Sequence, residues 1–156
     1  MKTAKFLIAL FFAVVAISSL AEDTNVVPKN FKAYIGGFGG PSYTVELQNG
    51  VLVYSEDTTN TLQIKITPTL AQWQEFRHDL DDLQVWQWQS RYDNPRVCDG
   101  TQWSLLIDYP DKHLETGGGN SYPDAVGKPN KNPELTKTFH NYLAAVQKLL
   151  GGKDFK

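Results

Sequence analysis

Residues 43–54 read YTVELQNGVLVY, and this stretch decides the class of fold because it predicts an antiparallel hairpin. Its first half alternates apolar and polar residues, which is the period of a strand with one buried face. Asn49-Gly50 follows, and this pair favours a two-residue turn because glycine takes a positive φ at little cost. A β-rich run resumes from Val51 to Tyr54, so we predict two antiparallel strands joined at Asn49-Gly50.

The flanking segments extend this hairpin into an antiparallel meander. Upstream, Phe31 to Phe38 is rich in aromatic and aliphatic residues, which predicts a strand. Residues 39–42 interrupt this run and predict a turn after the strand. Downstream, Leu62, Ile64 and Ile66 recur at period two, which indicates a further strand. We therefore predict an antiparallel sheet in the first half of the chain.

An amphipathic helix is predicted after the meander. Thr67-Pro68 supplies an N-cap followed by proline at the first helical position. From Leu70 to Leu83 apolar residues recur at steps of three and four, while the other face carries amides and charged groups that we interpret as solvated. Residues 84–89 switch to a Val-Trp-Gln-Trp alternation, which predicts a short strand or an extended exit.

A second hairpin and a second helix complete the pattern. Residues 103–109 and 112–116 bracket Pro110-Asp111, a typical turn pair. Asn132-Pro133 is predicted to cap the last helix, whose wide apolar stripe stops at Gly151-Gly152. Strands, helix, strands and helix in this order predict an α+β fold, with an antiparallel sheet of hairpins and two amphipathic helices packed on one face.

Residues 1–21 have the features of an export signal. Lys2 and Lys5 give a positive start, Phe6 to Ile17 is almost unbroken apolar sequence, and residues 19–21 supply small side chains for a signal peptidase. The apolar run is about a dozen residues, short of the roughly 20 that a bilayer-spanning helix needs. We predict a signal peptide over residues 1–21, a flexible leader over 22–30 and a single α+β domain over 31–152.

Charge and hydropathy restrict the partners of the mature chain. Without residues 1–21 the chain has 13 basic and 17 acidic residues, a net charge of −4, and the basic ones are scattered among acids. That balance argues against nucleic acid, whose phosphates demand a basic patch. No second long apolar run follows, so we predict no membrane span after cleavage, and a location in a bacterial periplasm or in the secreted fraction.

The sequence offers no cofactor or metal motif. Cys98 is the only cysteine, and the three histidines lie far apart without zinc-ligand spacing. The glycine runs at 36–40 and 117–119 lack the spacing of nucleotide-binding loops and are typical of bulges and tight turns. We therefore predict no cofactor and no metal.

The segment from Trp86 to Pro123 concentrates aromatic rings beside an Asp and an Asn. Such rings bury apolar ligand surface while a few polar groups fix its orientation, an arrangement that suits both sugars and peptides. The alternative is structural, because tryptophan also fills cores, Asp-Gly is an ordinary turn pair and asparagine often bonds nearby backbone. The candidate ligand-binding residues are Trp88, Tyr92, Asp99, Trp103, Asn120 and Tyr122.

The same segment carries a distinctive pattern. Trp88-x-x-x-Tyr92 is followed by Cys98-Asp99-Gly100-Thr101-x-Trp103-x-Leu105-x-Ile107, then by Gly119-Asn120-x-Tyr122-Pro123 and a closing helix around Phe139. In order and spacing this pattern resembles small exported bacterial proteins and domains of unknown function. The resemblance implies a fold unit over roughly the C-terminal half of the mature chain, and it implies no activity.

These observations favour binding over catalysis. The chain has aromatic loops but no recognisable nucleophile with its base, metal cluster or cofactor loop. We therefore predict an exported binding or inhibitory module whose partner is an exported protein, a peptide or a saccharide. Two alternatives stay open: a small exported hydrolase that uses Cys98 with His113, or Asp99, and a structural component of the cell envelope.

Overall fold

A computed structural model of the protein describes residues 26–57, 62–97, 99–130 and 134–156. Within these ranges seven strands form one sheet, and two α-helices pack on it. The predicted signal peptide, residues 1–21, lies outside the described residues, as do residues 22–25 of the predicted leader. The strands are β1 (Asn30–Gly37), β2 (Ser42–Gln48), β3 (Val51–Asp57), β4 (Leu62–Ile66), β5 (Tyr92–Asp93), β6 (Thr101–Asp108) and β7 (His113–Gly119), and the helices are α1 (Leu70–Asp82) and α2 (Lys137–Leu149).

The sheet has the order β4-β3-β2-β1-β6-β7-β5 and is antiparallel except at β5. The predicted meander is confirmed, since β1 to β4 pair in sequence order. Asn49 and Gly50 form the two-residue turn of the first hairpin, with φ of 52° and 80°, as expected for this pair. β6 and β7 form the second predicted hairpin, with Asp108 opposite His113.

β1 lies at the centre of the sheet, between β2 and β6. It pairs with β6 along its whole length, from Asn30 opposite Asp108 to Gly37 opposite Thr101. This pairing joins the two hairpins into one sheet. It also places the end of β1 beside the start of β6 at one end of the sheet, while the β6–β7 turn lies at the other end.

One face of the sheet carries the core. Alternate residues of the central strands, such as Ala33, Val45 and Leu105, are buried, whereas Lys32 and Ser104 on the other face are exposed. The α+β class is therefore confirmed, with the helices covering the buried face. The helices bury Trp73, Phe76 and Leu80 from α1, and Thr138, Phe139, Tyr142, Leu143, Ala145, Val146 and Leu149 from α2.

α1 begins two residues later than predicted. Its N-cap is Thr69, whose hydroxyl accepts from the Gln72 N–H at 3.2 Å, while the Gln72 side chain accepts from the Thr69 N–H at 2.8 Å. This reciprocal capping box satisfies two backbone amides that the end of a helix would otherwise leave unpaired. Thr67-Pro68 is therefore wrong as the cap, and it lies in the connection before the helix.

α2 begins at Lys137, after an N-cap at Thr136. The Thr136 hydroxyl accepts from the Phe139 N–H at 3.0 Å and donates to the Pro123 C=O. The predicted cap, Asn132-Pro133, lies outside the described residues. The helix ends as predicted before Gly151-Gly152, both of which have positive φ.

The prediction of a strand at residues 84–89 is wrong, and the backbone becomes extended only at Trp88. Val85–Gln87 form a 3-10 turn that follows Gln84, which has a left-handed φ of 52°. The Trp88 N–H donates to the Val85 C=O at 2.9 Å. In a 3-10 turn residues three apart share one side, and Val85 and Trp88 are both buried, so the alternation in the sequence reflects this turn and not a strand.

The packed chain extends past the predicted domain limit at residue 152. Phe155 is fully buried, and its ring centroid lies 6.4 Å from that of Tyr43. The Tyr54 hydroxyl donates to the Asp154 C=O at 2.9 Å, and burial raises the pKa of Tyr54 to about 12. The last residues therefore cover the β2–β3 side of the core.

The start of the described chain is packed as well. Pro28 is buried, the Lys29 N–H donates to the Asp108 C=O at 2.7 Å, and β1 begins at Asn30. Residues 28–30 therefore belong to the fold, although the sequence pattern placed them in the leader.

Candidate functional site

Four of the predicted ligand-binding residues are core residues. Trp88, Tyr92, Trp103 and Tyr122 are at most 6 % exposed. The Trp103 ring lies among the others, with its centroid 6.2 Å from Trp88, 5.6 Å from Tyr92 and 6.5 Å from Tyr122. Phe139 of α2 packs on Trp103 with a centroid distance of 4.7 Å. The structure thus brings these residues together, but mainly in the interior; Tyr122 also lines an open cleft.

The polar atoms of these rings hold the loop that follows β7. The Trp103 indole N–H donates to the Ser121 C=O at 2.9 Å. The Tyr92 hydroxyl donates to the Gly127 C=O at 2.6 Å and accepts from the Gln89 N–H at 2.8 Å. Burial raises the pKa of Tyr92, and the bond from Gln89 offsets part of the rise. Because buried backbone groups need partners, these rings support the loop.

Asn120 closes the end of the β6–β7 ladder. Its N–H donates to the Thr101 C=O, and its Oδ1 accepts from the Thr101 N–H, both at 2.9 Å. Its backbone is left-handed, with φ 52°, which asparagine tolerates better than most residues. A Cβ on Gly100 would lie 2.0 Å from Oδ1, so glycine leaves room for this bond. These contacts fit the structural role that the sequence left open for Asn120, in which its side chain bonds nearby backbone. Asp99, which precedes Gly100, is exposed.

The glycine run at 117–119 lies in β7, where it permits close packing. A Cβ on Gly118 would lie 2.1 Å from the Tyr92 carbonyl oxygen, and one on Gly117 would lie 2.8 Å from that of Trp103. Gly118 therefore lets β5 approach β7 and pair with it in parallel. β5 was not predicted, because two residues are too few to show a period.

A cleft of about 650 Å³ opens at the end of the sheet where β1 ends and β6 begins. It is lined by these strand ends, by the β1–β2 loop at residues 38–41, by Tyr122 and by residues at the start of α2. Its apolar lining comes from Ile35, Phe38, Pro41 and Leu135. We call this space the cleft.

Five polar side chains also line the cleft: Thr101, Tyr122, Glu134, His140 and Lys156. His140 lies in the first turn of α2, and Lys156 forms an ion pair with Asp154 at 3.3 Å. Burial raises the pKa of Tyr122, and a hydrogen bond with the Thr101 side chain offsets part of the rise, so the hydroxyl is protonated at neutral pH. Because one acid and one lysine face the cleft together, it has no strong charge of either sign.

Phe38 stands at the rim of the cleft in the loop Gly36-Gly37-Phe38-Gly39-Gly40. Its side chain is 87 % exposed. Gly39 has a φ of 81°, and the Cβ positions of Gly39 and Gly40 face open space. The loop therefore presents one aromatic ring to solvent without neighbouring side chains on its C-terminal side. Sequence reasoning missed Phe38, although an aromatic residue between two glycine pairs is a signal that could have found it.

The pairing of Cys98 with His113 stays a prediction. Cys98 lies outside the described residues. Its described neighbour Asp99 precedes β6, whereas His113 lies opposite Asp108 at the far end of that strand. A strand of this length separates its ends by about 24 Å. His113 instead lies 3.6 Å from the Asp108 carboxylate.

A second concentration of charge surrounds Arg77 of α1, at the end of the sheet opposite the cleft. Its guanidinium donates to Asp111 at 2.9 and 3.2 Å and to Asp81 at 3.2 Å. It also lies 4.3 Å from the Tyr109 ring centroid and 5.1 Å from that of Trp86. Asp81 accepts in addition from the Trp86 indole N–H and from a lysine ammonium at 2.7 Å. The ion-pair cluster consists of Arg77, Asp81, Asp111 and Lys112.

The pKa values in the ion-pair cluster follow from this mutual bonding. Burial alone would raise the pKa of Asp81, but hydrogen bonds from Lys112 and Trp86 and the charge of Arg77 lower it overall. Burial would likewise lower the pKa of Arg77, and the bonds to Asp111 and Asp81 raise it instead. Each charge is matched within the cluster, so these residues fasten α1 to the β6–β7 turn.

The described ranges contain neither a metal-ligand cluster nor a membrane-spanning helix. No group of three or more His, Cys, Asp or Glu side chains in those ranges is placed to hold a metal ion. In the same part of the chain, no helix has the length and apolar character needed to cross a membrane.

No family model matches the chain, and no curated protein matches it at a significant level. The resemblance of residues 88–123 to small exported bacterial proteins therefore stays a prediction, and the function has to be argued from the geometry.

Proposed function

We propose that the protein is an exported binding module that receives an apolar side chain of a partner peptide in the cleft beside Phe38. The observation that carries this proposal is the 87 % exposure of Phe38 at the rim of the cleft. Leaving a large apolar side chain in water costs about 2 kcal/mol relative to burial. A partner that covers Phe38 and fills the cleft recovers this free energy.

The lining of the cleft favours a peptide over a sugar. Ile35, Pro41 and Leu135 give it apolar walls, while the exposed Glu134 and His140 supply polar groups. A saccharide exposes hydroxyls over most of its surface and would leave many of them facing apolar walls without partners. A peptide meets both kinds of group, with a side chain in the apolar part and its backbone near the polar groups.

The partner that this chemistry describes is a short peptide or an exposed segment of an exported protein. Where that segment belongs to the active site of a partner enzyme, its binding inhibits the enzyme. Support for export comes from residues 1–21, whose basic start, apolar run and small residues fit a cleaved signal. The periplasm and the secreted fraction are the two locations that such a signal serves.

The test uses residues 22–156 and a library of peptides displayed on phage. Peptides that bind are synthesised and titrated against the wild type and two cleft variants. Phe38→Ala removes the exposed ring, and Gly40→Leu places a side chain in the open space that the Gly40 Cβ position faces, without a positive φ to strain it. We expect the enriched peptides to share an apolar position and each variant to weaken binding at least about tenfold.

Val126→Ala is the matched control. Val126 is 63 % exposed and does not line the cleft, so its truncation removes exposed apolar surface at another place. We expect it to leave peptide affinity unchanged. Equal thermal unfolding of all four proteins shows that the variants fold. Peptides that bind Phe38→Ala and Gly40→Leu as tightly as the wild type overturn the proposal, as does a library that yields no binder.

A further inference from the structure

The two edges of the sheet differ in how they are protected. β5 is two residues long and is followed by Asn94-Pro95, and short strands and proline are common devices for protecting an edge. β4, Leu62–Ile66, is five residues long and pairs only with β3. Among the described residues, no segment pairs with the outer edge of β4. Within the part of the chain that the structure describes, this edge is therefore open to another strand.

The side chains of β4 continue the two faces of the sheet. Ile64 lies opposite Tyr54 and Ile66 opposite Leu52, which places both isoleucines on the core side, where they are only partly buried. Gln63 and Lys65 are exposed on the other face. The core thus ends at this edge in two apolar side chains that remain partly in water.

The pairing of β3 determines which backbone groups of β4 point outward. The two residues on either side of the turn at Asn49-Gly50 exchange hydrogen bonds between β2 and β3. Along β3, residues that bond to β2 therefore alternate with residues that bond to β4. Tyr54 therefore bonds to β4, and its partner there is Ile64. It follows that the N–H and C=O groups of Gln63 and Lys65 point away from the sheet.

We propose that β4 is an interface for a second copy of this chain, with the two strands antiparallel and the two-fold axis at Ile64. In this register Gln63 lies opposite the partner's Lys65, and their outward backbone groups meet as a hydrogen-bonded pair. Ile64 packs against the partner's Ile64 on the core side, which covers part of the exposed apolar surface.

The charges on β4 are compatible with pairing against an antiparallel copy of the same strand. A lysine on an edge opposes pairing when the register sets it against another lysine. With the axis at Ile64, each Lys65 faces a neutral Gln63, so no like charges meet. The sheet then runs continuously through both copies, and the two open edges protect each other. A partner chain with a different strand would have to reproduce this complementarity, whereas a second copy supplies it by symmetry.

Sedimentation equilibrium of residues 22–156 tests this register through opposite substitutions at one exposed position. Gln63→Lys places a lysine opposite Lys65 of the second copy, once on each side of the axis. Because these like charges repel, we expect the dimer dissociation constant to rise about fivefold. Gln63→Glu creates two opposite-charge pairs, and we expect the constant to fall by a similar factor at low salt. Ser104→Lys adds a charge on the same face of the sheet in β6 and should change nothing.

Three results would overturn the inference. One is a wild-type chain that stays monomeric at about 1 mM, since association weaker than this is not specific. Another is a dimer whose dissociation constant does not respond to Gln63→Lys, which places the interface elsewhere. The third is a dimer that both substitutions at position 63 shift in the same direction, because only the proposed register gives them opposite signs. Equal unfolding of the variants as monomers confirms that they fold.

Discussion

At one end of the sheet Arg77 holds the β6–β7 turn to α1, and at the other end the β1–β2 loop holds Phe38 in solvent. Both ends are rich in aromatic and polar groups. In the ion-pair cluster each charge is bonded to an opposite one, and the Trp86 and Tyr109 rings lie against Arg77. In the cleft an aromatic ring and apolar walls face water.

The difference shows that a concentration of shifted pKa values does not by itself mark a binding site. The pKa of Asp81 is lowered because its bonds within the molecule are already made, and such groups offer little to a ligand. The cleft has few shifted groups but contains surface whose burial would be favourable. The charges of the ion-pair cluster are paired within the chain, whereas the apolar surface of the cleft, the proposed binding site, is exposed to water.

The largest expected effect comes from Gly118→Ala, near the cleft end. The new Cβ would lie 2.1 Å from the Tyr92 carbonyl oxygen, so the backbone of β5 or β7 must move. We expect the free energy of unfolding to fall by about 3 kcal/mol or more in urea denaturation. Gly40→Ala is the control, since its Cβ faces open space, and it should cost less than about 0.5 kcal/mol. A loss of less than 1 kcal/mol for Gly118→Ala would contradict the close pairing of β5.

A smaller loss is expected when the ion-pair cluster is broken. Arg77→Ala removes the bonds to Asp81 and Asp111 and the contacts with two aromatic rings, and we expect a loss of about 2 kcal/mol in urea denaturation. Arg77→Lys keeps the charge but cannot form the two parallel bonds to Asp111, so it should recover only part of the stability. Full recovery with lysine would mean that charge alone, without this geometry, fastens the turn.

Asn120→Ala should cost about 1 to 2 kcal/mol of unfolding free energy. The change leaves the Thr101 N–H without its side-chain partner and places alanine at a left-handed φ of 52°. Asp99→Ala at the exposed neighbouring position is the control and should be neutral within about 0.5 kcal/mol. Unchanged stability of Asn120→Ala would instead favour the ligand-binding role that the sequence suggested.

The smallest expected effect is a dependence on pH at the ion-pair cluster. The folded pKa of Asp81 lies below its usual value of 3.8, so its charge stabilises the fold above about pH 4, and this contribution is lost as the pH falls through the folded pKa. The wild type should therefore exceed Asp81→Asn in stability at pH 7, and the difference should shrink by pH 3. Thermal unfolding at both pH values measures it. A difference that stays constant would show that the carboxylate charge plays no part.

Local patterns allowed much of the fold to be predicted from the sequence. The turn at Asn49-Gly50 and the hairpin around Pro110-Asp111 depend on neighbouring residues, so composition and period suffice for them. The pairing of β1 with β6 could not be predicted, because alternation shows that a strand has one buried face without showing which strand lies beside it. The start of α1 was misplaced by two residues, since Thr67 and Thr69 both offer a cap.

The candidate site was harder to predict, for a physical reason. Trp88 and Trp103 near loops can fill a core or bind a ligand, and their sequence context is the same in both cases. The structure separates the two, because their rings are buried and the Trp103 indole bonds loop backbone. Phe38 was missed because glycines drew attention to backbone freedom, while the exposure of the ring depends on the strands that flank the loop.

The buried Phe155 also affects when the chain can complete its fold during synthesis. The bond from the Tyr54 hydroxyl to the Asp154 carbonyl joins residues 100 positions apart. Until residue 155 has emerged from the ribosome, Tyr43 lacks the ring that packs beside it, Tyr54 lacks its bond to Asp154, and this side of the hydrophobic interior stays open to water. Such long-range contacts form late and slowly. The β2–β3 side of the core therefore closes only after residue 155 has been made.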